Sequence, residues 1–375
     1  MSMKLPTHFR RILHISLLSI PLVFHATAMQ AKTRHKAKKT APAVEQGEHV
    51  NFSQWKDVAE FIDQMVEKNG FDKTELQKLF SKVHHVDSAI RLMRPAPPGR
   101  PKNWHAYRAR FVEPIRIQAG VKFWNDYADT LQRAEDTYGV PAEIIVGILG
   151  VETIYGRNTG NFRVLDAVTT LAFDYPDTPN RDARKAYFRG EVENTLLFAR
   201  ESGIDPFSLL GSYAGAIGLP QFMPGSIRKF AVDFDGNGKI DLRNSPADAI
   251  GSVAHYLAMH GWKRGEPAVF PVTVSTVVDN GVPANRWENY IGQGLEAKFS
   301  LAELKAAGVM PNVVPNAEPP TDLLYALVDL QNGTEATEYW LGAANFFAIT
   351  QYNRSYFYAM SVIDLGRAVR QARTR

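Results

Sequence analysis

One acidic residue stands where acids are seldom tolerated. Glu152 closes the run Ile144-Ile145-Val146-Gly147-Ile148-Leu149-Gly150-Val151, which is apolar on every side, as expected of a helix at the centre of a domain. At helical spacing Glu152 shares a face with Ile145, Ile148 and Leu149. A carboxyl there is poorly solvated, and in the last turn before Gly156 it meets the negative end of the helix dipole. Both effects favour the neutral acid, the form that can protonate a leaving oxygen near neutral pH. The same pattern suits a structural glutamate paired with an arginine such as Arg157.

Two further stretches could carry chemistry. Gly211-Ser212-Tyr213-Ala214-Gly215-Ala216-Ile217-Gly218-Leu219-Pro220-Gln221-Phe222-Met223-Pro224 is rich enough in glycine to bring backbone close to a ligand. Gln221 offers a sugar both a donor and an acceptor; a plain loop packed by Phe222 and Met223 fits equally. Asp233-Phe234-Asp235-Gly236-Asn237-Gly238-Lys239-Ile240-Asp241 reads as the opening of an EF-hand loop. Oxygen ligands from Asp233, Asp235, Asn237 and Asp241, a carbonyl at Lys239 and the turn glycine Gly238 suit a structural Ca²⁺. Asn244 stands where a bidentate Glu is expected, and the next carboxylate is Asp248; an Asx-rich turn without metal is the alternative. Asp166 and Asp174 are the nearest acids downstream of Glu152, and we assign Asp166 to helix capping and Asp174 to a polar turn.

The elements that must position these residues are mostly helices. Trp55, Val58, Phe61, Ile62 and Met65 recur at helical spacing before Gly70, and Trp124, Tyr127, Leu131 and Ala134 do so before Gly139. Pro141 opens the segment that carries Glu152, and further helices are expected near Glu191 to Arg200, Ala247 to His260 and Tyr356 to Arg370. Only from Pro267 to about Thr334 do β-branched runs such as Val272-Thr273-Val274 and Val277-Val278 lie among Gly and Pro, predicting a small insertion containing strands.

The N-terminus predicts export. Lys4, Arg10 and Arg11 precede an apolar run from Ile12 to Phe24 and then Ala26-Thr27-Ala28, the pattern of a signal peptide cut after Ala28. The run is too short for a bilayer core, which needs roughly 20 residues. There is no cysteine, so neither a disulfide nor a lipid anchor through one is expected, and the periplasm is the expected location. The net charge of +4 is local to this end. Without the eight basic residues of the leader and of the tail from Lys32 to Lys39, 35 basic side chains face 39 acidic ones. That balance argues against nucleic acid as a partner.

Together the stretches "YGVPAEIIVGILGVETIYGR", "GSYAGAIGLPQFMPGSI", "SPADAIGSVAHYLAMHGW" and "YNRSYFYAMSVIDLG" resemble, in order and spacing, the lytic murein transglycosylase B family. The resemblance implies a mainly α fold: a lysozyme-like α core with a helical domain and a small β-containing insertion. Combined with the boundaries above, the expected organisation is a signal peptide at 1–28, a basic disordered linker at 29–50, an N-terminal helical domain at 51–140, the lysozyme-like core with the EF-hand-like loop at 141–265, the insertion at 266–335, and a C-terminal segment returning to the core at 336–375.

It also implies cleavage of the β-1,4 bond between N-acetylmuramic acid and N-acetylglucosamine in peptidoglycan. The family's acid/base glutamate falls on Glu152 and its substrate-binding glutamine on Gln221. Tyr107, Tyr256, Tyr352, Asn353 and Tyr358 match positions lining the glycan groove, Arg184 and Lys185 a basic pair that meets stem-peptide carboxylates, and Asp248 a late calcium ligand. Peptidoglycan strands, together with cell-wall synthesis or division proteins, are the expected partners, and no cofactor takes part in catalysis. In the implied mechanism Glu152 acts twice, ending with a 1,6-anhydro ring. A muramidase that uses water, or an inactive peptidoglycan-binding protein, are the rival readings.

Overall fold

The computed structural model describes residues 52–95, 99, 101–275, 278–279, 282–283, 286–312 and 318–374. The expected signal peptide and linker, and Val277, lie outside the described residues.

Six helices lead in: α1 (Lys56–Asn69), α2 (Lys73–Phe80), α3 (Asp87–Met93), α4 (Trp104–Arg108), α5 (Pro114–Asp126) and α6 (Ala128–Tyr138). In α1 the periodic set Val58, Phe61, Ile62 and Met65 is buried, and Gly70 ends the helix in the left-handed region. The period from Trp124 to Ala134, read as one helix, is divided between two. Tyr127 leaves helical geometry at φ −121° because its ring packs 4.8 Å from Phe123, itself stacked on Tyr155. Local packing overrides the period there.

The centre of the molecule is α7 (Ala142–Thr153), buried on nearly all sides. Around it lie β1 (Phe162–Arg163), α8 (Val164–Phe173), α9 (Arg181–Ser202), β2 (Leu210–Gly211), α10 (Pro224–Phe230) and α11 (Pro246–Met259). Strands β1 and β2 form a short antiparallel pair, Phe162 facing Gly211 and Arg163 facing Leu210.

A sheet follows, built from β3 (Val269–Val274), β4 (Val278–Asp279), β5 (Val282–Pro283), β6 (Phe299–Ser300), β7 (Val309–Pro311), β8 (Leu324–Asn332) and β9 (Glu335–Gly342), with α12 (Leu301–Ala306) between β6 and β7. Its main part runs β6-β8-β9-β3-β7, and β4 and β5 pair separately. It keeps a small core of its own around Phe270, Leu304, Tyr325 and Leu341. The sheet extends to Gly342, beyond the 335 boundary read from sequence, because the polar tip Asn332 to Glu335 is a hairpin turn and not an exit.

The chain then returns through α13 (Ala344–Tyr352) and α14 (Tyr356–Arg373) to the middle of the helical core. Helix α14 lies against α7 at backbone distance. A Cβ on Gly147 would fall 2.2 Å from the Val362 carbonyl oxygen, and one on Gly366 2.2 Å from that of Glu143. Two absent side chains thus set the crossing that brings Tyr358 to Glu152. Gly147→Ala should therefore cost about 1–3 kcal/mol through overpacking. Gly190→Ala, inside α9 with nothing within 4 Å of the new methyl, should instead stabilise by about 0.5–1 kcal/mol. Chemical denaturation of the two variants checks both signs.

Candidate active site

Glu152 sits in the last turn of α7, 7% exposed, and the Tyr358 hydroxyl donates to its Oε1 at 2.6 Å. Burial pushes the carboxyl from 4.5 up to about 7; the tyrosine bond pulls the other way and does not win. The arginine alternative falls: Arg157 lies exposed in the turn beyond, and Glu152 is held by a neutral hydroxyl.

Backbone strain collects around this acid. Ile154 and Tyr155, immediately after α7, hold φ of 53° and 56°, and Gln221 also stands at 53°. Non-glycine residues reach this region at a cost that the surroundings must hold in place. The surroundings are identifiable. Thr153 Oγ1 donates to Leu219 O at 2.8 Å and accepts from Gly156 N at 2.9 Å, stapling the end of α7 to the glycine-rich loop. Gln221 Nε2 donates to Gly218 O at 2.9 Å and to Thr159 O at 3.3 Å. Tyr352 donates to Pro220 O at 2.5 Å. Three consecutive carbonyls, at 218, 219 and 220, are thus each tied to a different group.

What this leaves open is the Gln221 carbonyl oxygen, buried and without a partner. An orphaned buried acceptor costs about 1–3 kcal/mol unless something donates to it. A hydroxyl or acetamido N–H of a sugar is such a donor.

The tyrosines gather on the same side. Tyr352 stacks on Tyr358 with centroids 6.3 Å apart, and Tyr256 meets Tyr352 edge-on at 4.9 Å. Tyr256 is anchored by donating to Gln351 O at 2.7 Å. Burial drives the hydroxyls of Tyr352 and Tyr358 well above their ordinary range, with the nearby Glu152 charge adding to it. Tyr107, from α4, is pushed up to about 12 by burial, Arg110 opposing and Glu152 assisting. All these phenols stay neutral donors. Asn353 is buried at the end of α13, beside Tyr352.

Arg184 and Lys185 lie in the first turns of α9. Lys185 reaches Asp57 at 3.8 Å, and Arg184 lies close enough to Tyr175 and Tyr187 to oppose the burial-driven rise of their hydroxyls. Asp166 is not a helix cap: it accepts from Arg163 Nε at 2.6 Å and His84 N at 3.1 Å, tying two loops to the start of α8. Asp174 follows α8 and pairs with His85 at 2.9 Å.

The acidic loop brings Asp233, Asp235 and the fully buried Asp248 together, with one oxygen from each within 4.8 Å of the others. The loop's acidic side chains and Asn237 all accept from backbone N–H groups: Asp233 from Gly236, Asn237 and Gly238, Asp235 from Asn237, Asp248 from Phe234 and Asp241, Asn237 from Lys239, and Asp241 from Arg243 and Asn244. Asn244 donates to Asp241 and offers the cluster no oxygen from that contact. Thr153, which ties the end of α7 to the glycine-rich loop, escaped the sequence reading; its only local signal is its place beside Glu152.

Residues 51–367 match the family described as Transglycosylase SLT domain. The chain belongs to the SLT-domain transglycosylases. This transglycosylase is 44% identical over 324 residues to the membrane-bound lytic murein transglycosylase B of Escherichia coli K12, covering 84% of this chain and 83% of that one. It is similar to the E. coli lytic transglycosylase Slt35, solved in complex with calcium, at 43% identity and TM-score 0.73, over 87% of this chain and 96% of that chain. Pseudomonas aeruginosa SltB3, solved with NAG-anhNAM-pentapeptide, matches at 26% identity and TM-score 0.67, over 84% and 79% of the respective chains. The transglycosylase core is lysozyme-like and the fold mainly α, with the sheet as its minor part.

The raised pKa of Glu152 has a consequence for stability. Below pH 4.5 the Glu152 carboxyl is neutral folded or unfolded; as pH rises through about 7 the folded state must bury a charge that the unfolded chain carries freely. Stability is therefore lost with rising pH across that window. Glu152→Gln, which never charges, should match wild type at pH 4.5 and exceed it at pH 8 by on the order of 3 kcal/mol. Urea denaturation of both proteins across pH 4.5–8 measures the gap.

Proposed function

We propose that this protein is a peptidoglycan lytic transglycosylase, cleaving the β-1,4 bond between N-acetylmuramic acid and N-acetylglucosamine and leaving 1,6-anhydro-N-acetylmuramic acid ends. The observation that carries the reading is the Glu152 carboxyl, raised to about 7 by burial against the pull of the one phenol bonded to it, with no carboxylate among the described groups acting on it. Family membership and the anhydro-sugar ligand of the SltB3 relative support it.

The chemistry balances on that single acid. Protonated Glu152 gives its proton to the glycosidic oxygen as the bond to C1 breaks, releasing the N-acetylglucosamine hydroxyl. The carboxylate, steadied by the Tyr358 hydroxyl, then takes the proton from the muramic acid's C6 hydroxyl as that oxygen closes on C1. Glu152 ends protonated, and no water is consumed. A hydrolase of inverting or retaining type generally needs a second carboxylate, whereas phenols, amides and backbone surround this one. The attached C6 hydroxyl also carries the entropic advantage of an internal nucleophile. Gln221, with its free carbonyl oxygen, and the tyrosines would hold the N-acetyl sugars.

The substrate class fits an exported protein, so we assign it to the periplasm, carried there by the leader at 1–28. Among the described residues no helix is long and apolar enough to cross a membrane. We also assign a structural Ca²⁺ to Asp233, Asp235 and Asp248, whose crowded like charges a cation would neutralise. Its contribution would be to clamp the loop, with no part in the bond-making steps.

Two outcomes are expected. Digestion of purified sacculi in ¹⁸O-labelled water should release unlabelled anhydro ends, about 18 mass units lighter than hydrolytic ones for want of one water; labelled reducing ends would make the protein a muramidase. Millimolar Ca²⁺ should raise the melting temperature over that in chelator, by mass action on the folded state, and Asp233→Ala should abolish the increment.

A further inference from the structure

The acidic loop and the reaction centre share a wall. Leaving the loop, the chain runs Asp241-Leu242-Arg243, and the Leu242 carbonyl accepts from Leu219 N at 2.8 Å, two residues from Gln221. The approach is close: a Cβ on Gly218 would lie 2.2 Å from that same carbonyl oxygen. Arg243 reaches further. Its Nη1 donates to Gly160 O at 3.0 Å and to Leu210 O at 3.1 Å, and its Nη2 to Asn161 Oδ1 at 3.1 Å.

Those acceptors sit at a junction. Gly160 and Asn161 end the strained turn that descends from Glu152, while Leu210 opens β2, from which the chain runs through Gly211, bridged to Ile217, into the loop of Gln221. At Gly160, with φ 81°, a Cβ would fall 2.2 Å from the Gly211 oxygen, so the two backbones are in contact. Two carbonyl oxygens from separate segments therefore converge on one guanidinium nitrogen. All three recorded acceptors are uncharged, so Arg243 serves as a donor fork, and a lysine cannot reproduce the geometry.

We propose that Arg243 is a positioning residue for the reaction: it fixes the junction on which the turn after Glu152 and the loop of Gln221 both rest, and so couples sugar binding at Gln221 to the state of the acidic loop. The inference rests on the transglycosylase reading above and on the cation assigned there to Asp233, Asp235 and Asp248. The coupling is reciprocal by thermodynamic necessity: occupation of the loop by Ca²⁺ raises glycan affinity, and glycan raises Ca²⁺ affinity by the same factor, expected to be about fivefold or more.

The test uses the full-length protein with Arg243→Met and Arg243→Lys. Because Gln221 acts by holding sugar, KM on soluble glycan strands should rise about tenfold in Arg243→Met, the loss of about one hydrogen bond's worth of binding, while kcat falls less, since Thr153 still ties the end of α7 to the loop. Arg243→Lys should recover only part of it. Independently of turnover, calorimetric titration of Ca²⁺ into the Glu152→Gln protein, with and without a GlcNAc-MurNAc tetrasaccharide, should show tighter binding in its presence, and Arg243→Met in that background should lose the difference. A folded Arg243→Met with wild-type KM, or a Ca²⁺ affinity indifferent to the tetrasaccharide in the Arg243-containing protein, overturns the proposal. If Arg243→Met does not fold, Arg243→Lys and the titration of the Arg243-containing protein decide. A wild-type protein that releases no glycan fragments sinks the functional reading; an active wild type matched by its variants sinks only the role of Arg243.

Discussion

A carboxyl group kept out of water by a helix crossing is the constraint on which the rest of the site depends. Burial lifts the Glu152 carboxyl to about 7, and it is buried beside the crossing where α7 and α14 meet without side chains between them, at Gly147 against Val362 and Gly366 against Glu143. Widening that contact would admit solvent and return the acid to its ordinary value. The Tyr358 hydroxyl can sit 2.6 Å from the carboxyl only while the helices stay this close. It supplies one hydrogen bond that favours the carboxylate, without outweighing the effect of burial.

The glycine-rich loop answers a different demand. Ile217, Leu219 and Phe222 pack it into the core, and its backbone is held in addition by its own polar groups. The carbonyls of Gly218, Leu219 and Pro220 accept from Gln221, Thr153 and Tyr352, and the Leu219 amide donates to Leu242. These bonds sustain a left-handed Gln221 that has no glycine's freedom. Preorganisation of this kind places the cost of strain in folding and leaves little to be met when substrate arrives.

Features set by neighbours in sequence were legible beforehand. The apolar run pointed to a central helix, the placement of Glu152 within it pointed to a raised pKa, and the spacing of Asp233 and Asp235 pointed to a tight acidic loop, which the structure closes with Asp248. Features made by distant contacts were not. Nothing near Glu152 announces Tyr358, 206 residues away, as its partner, and Arg157 was the local alternative. Asp166 looked like a cap because caps are common near helix starts, yet its partners are Arg163 and the backbone of His84. The break at Tyr127 follows from a ring packed on Phe123, and the end of the insertion from a hairpin whose return strand looked like the start of the next segment. Arg243 carried no signal because its acceptors, two backbone carbonyls and the Asn161 side chain, lie 33 to 83 residues away in sequence.

The separation between Glu152 and Tyr358 also orders events in time. The ribosome makes the acid first and its partner 206 residues later, an interval of roughly ten to forty seconds at ordinary rates of synthesis. Until α14 docks, Glu152 belongs to an open chain and is an ordinary ionised carboxylate with no proton to give. The reaction centre therefore cannot be complete until the C-terminal helix has been made, and no shorter product of synthesis holds the pair together.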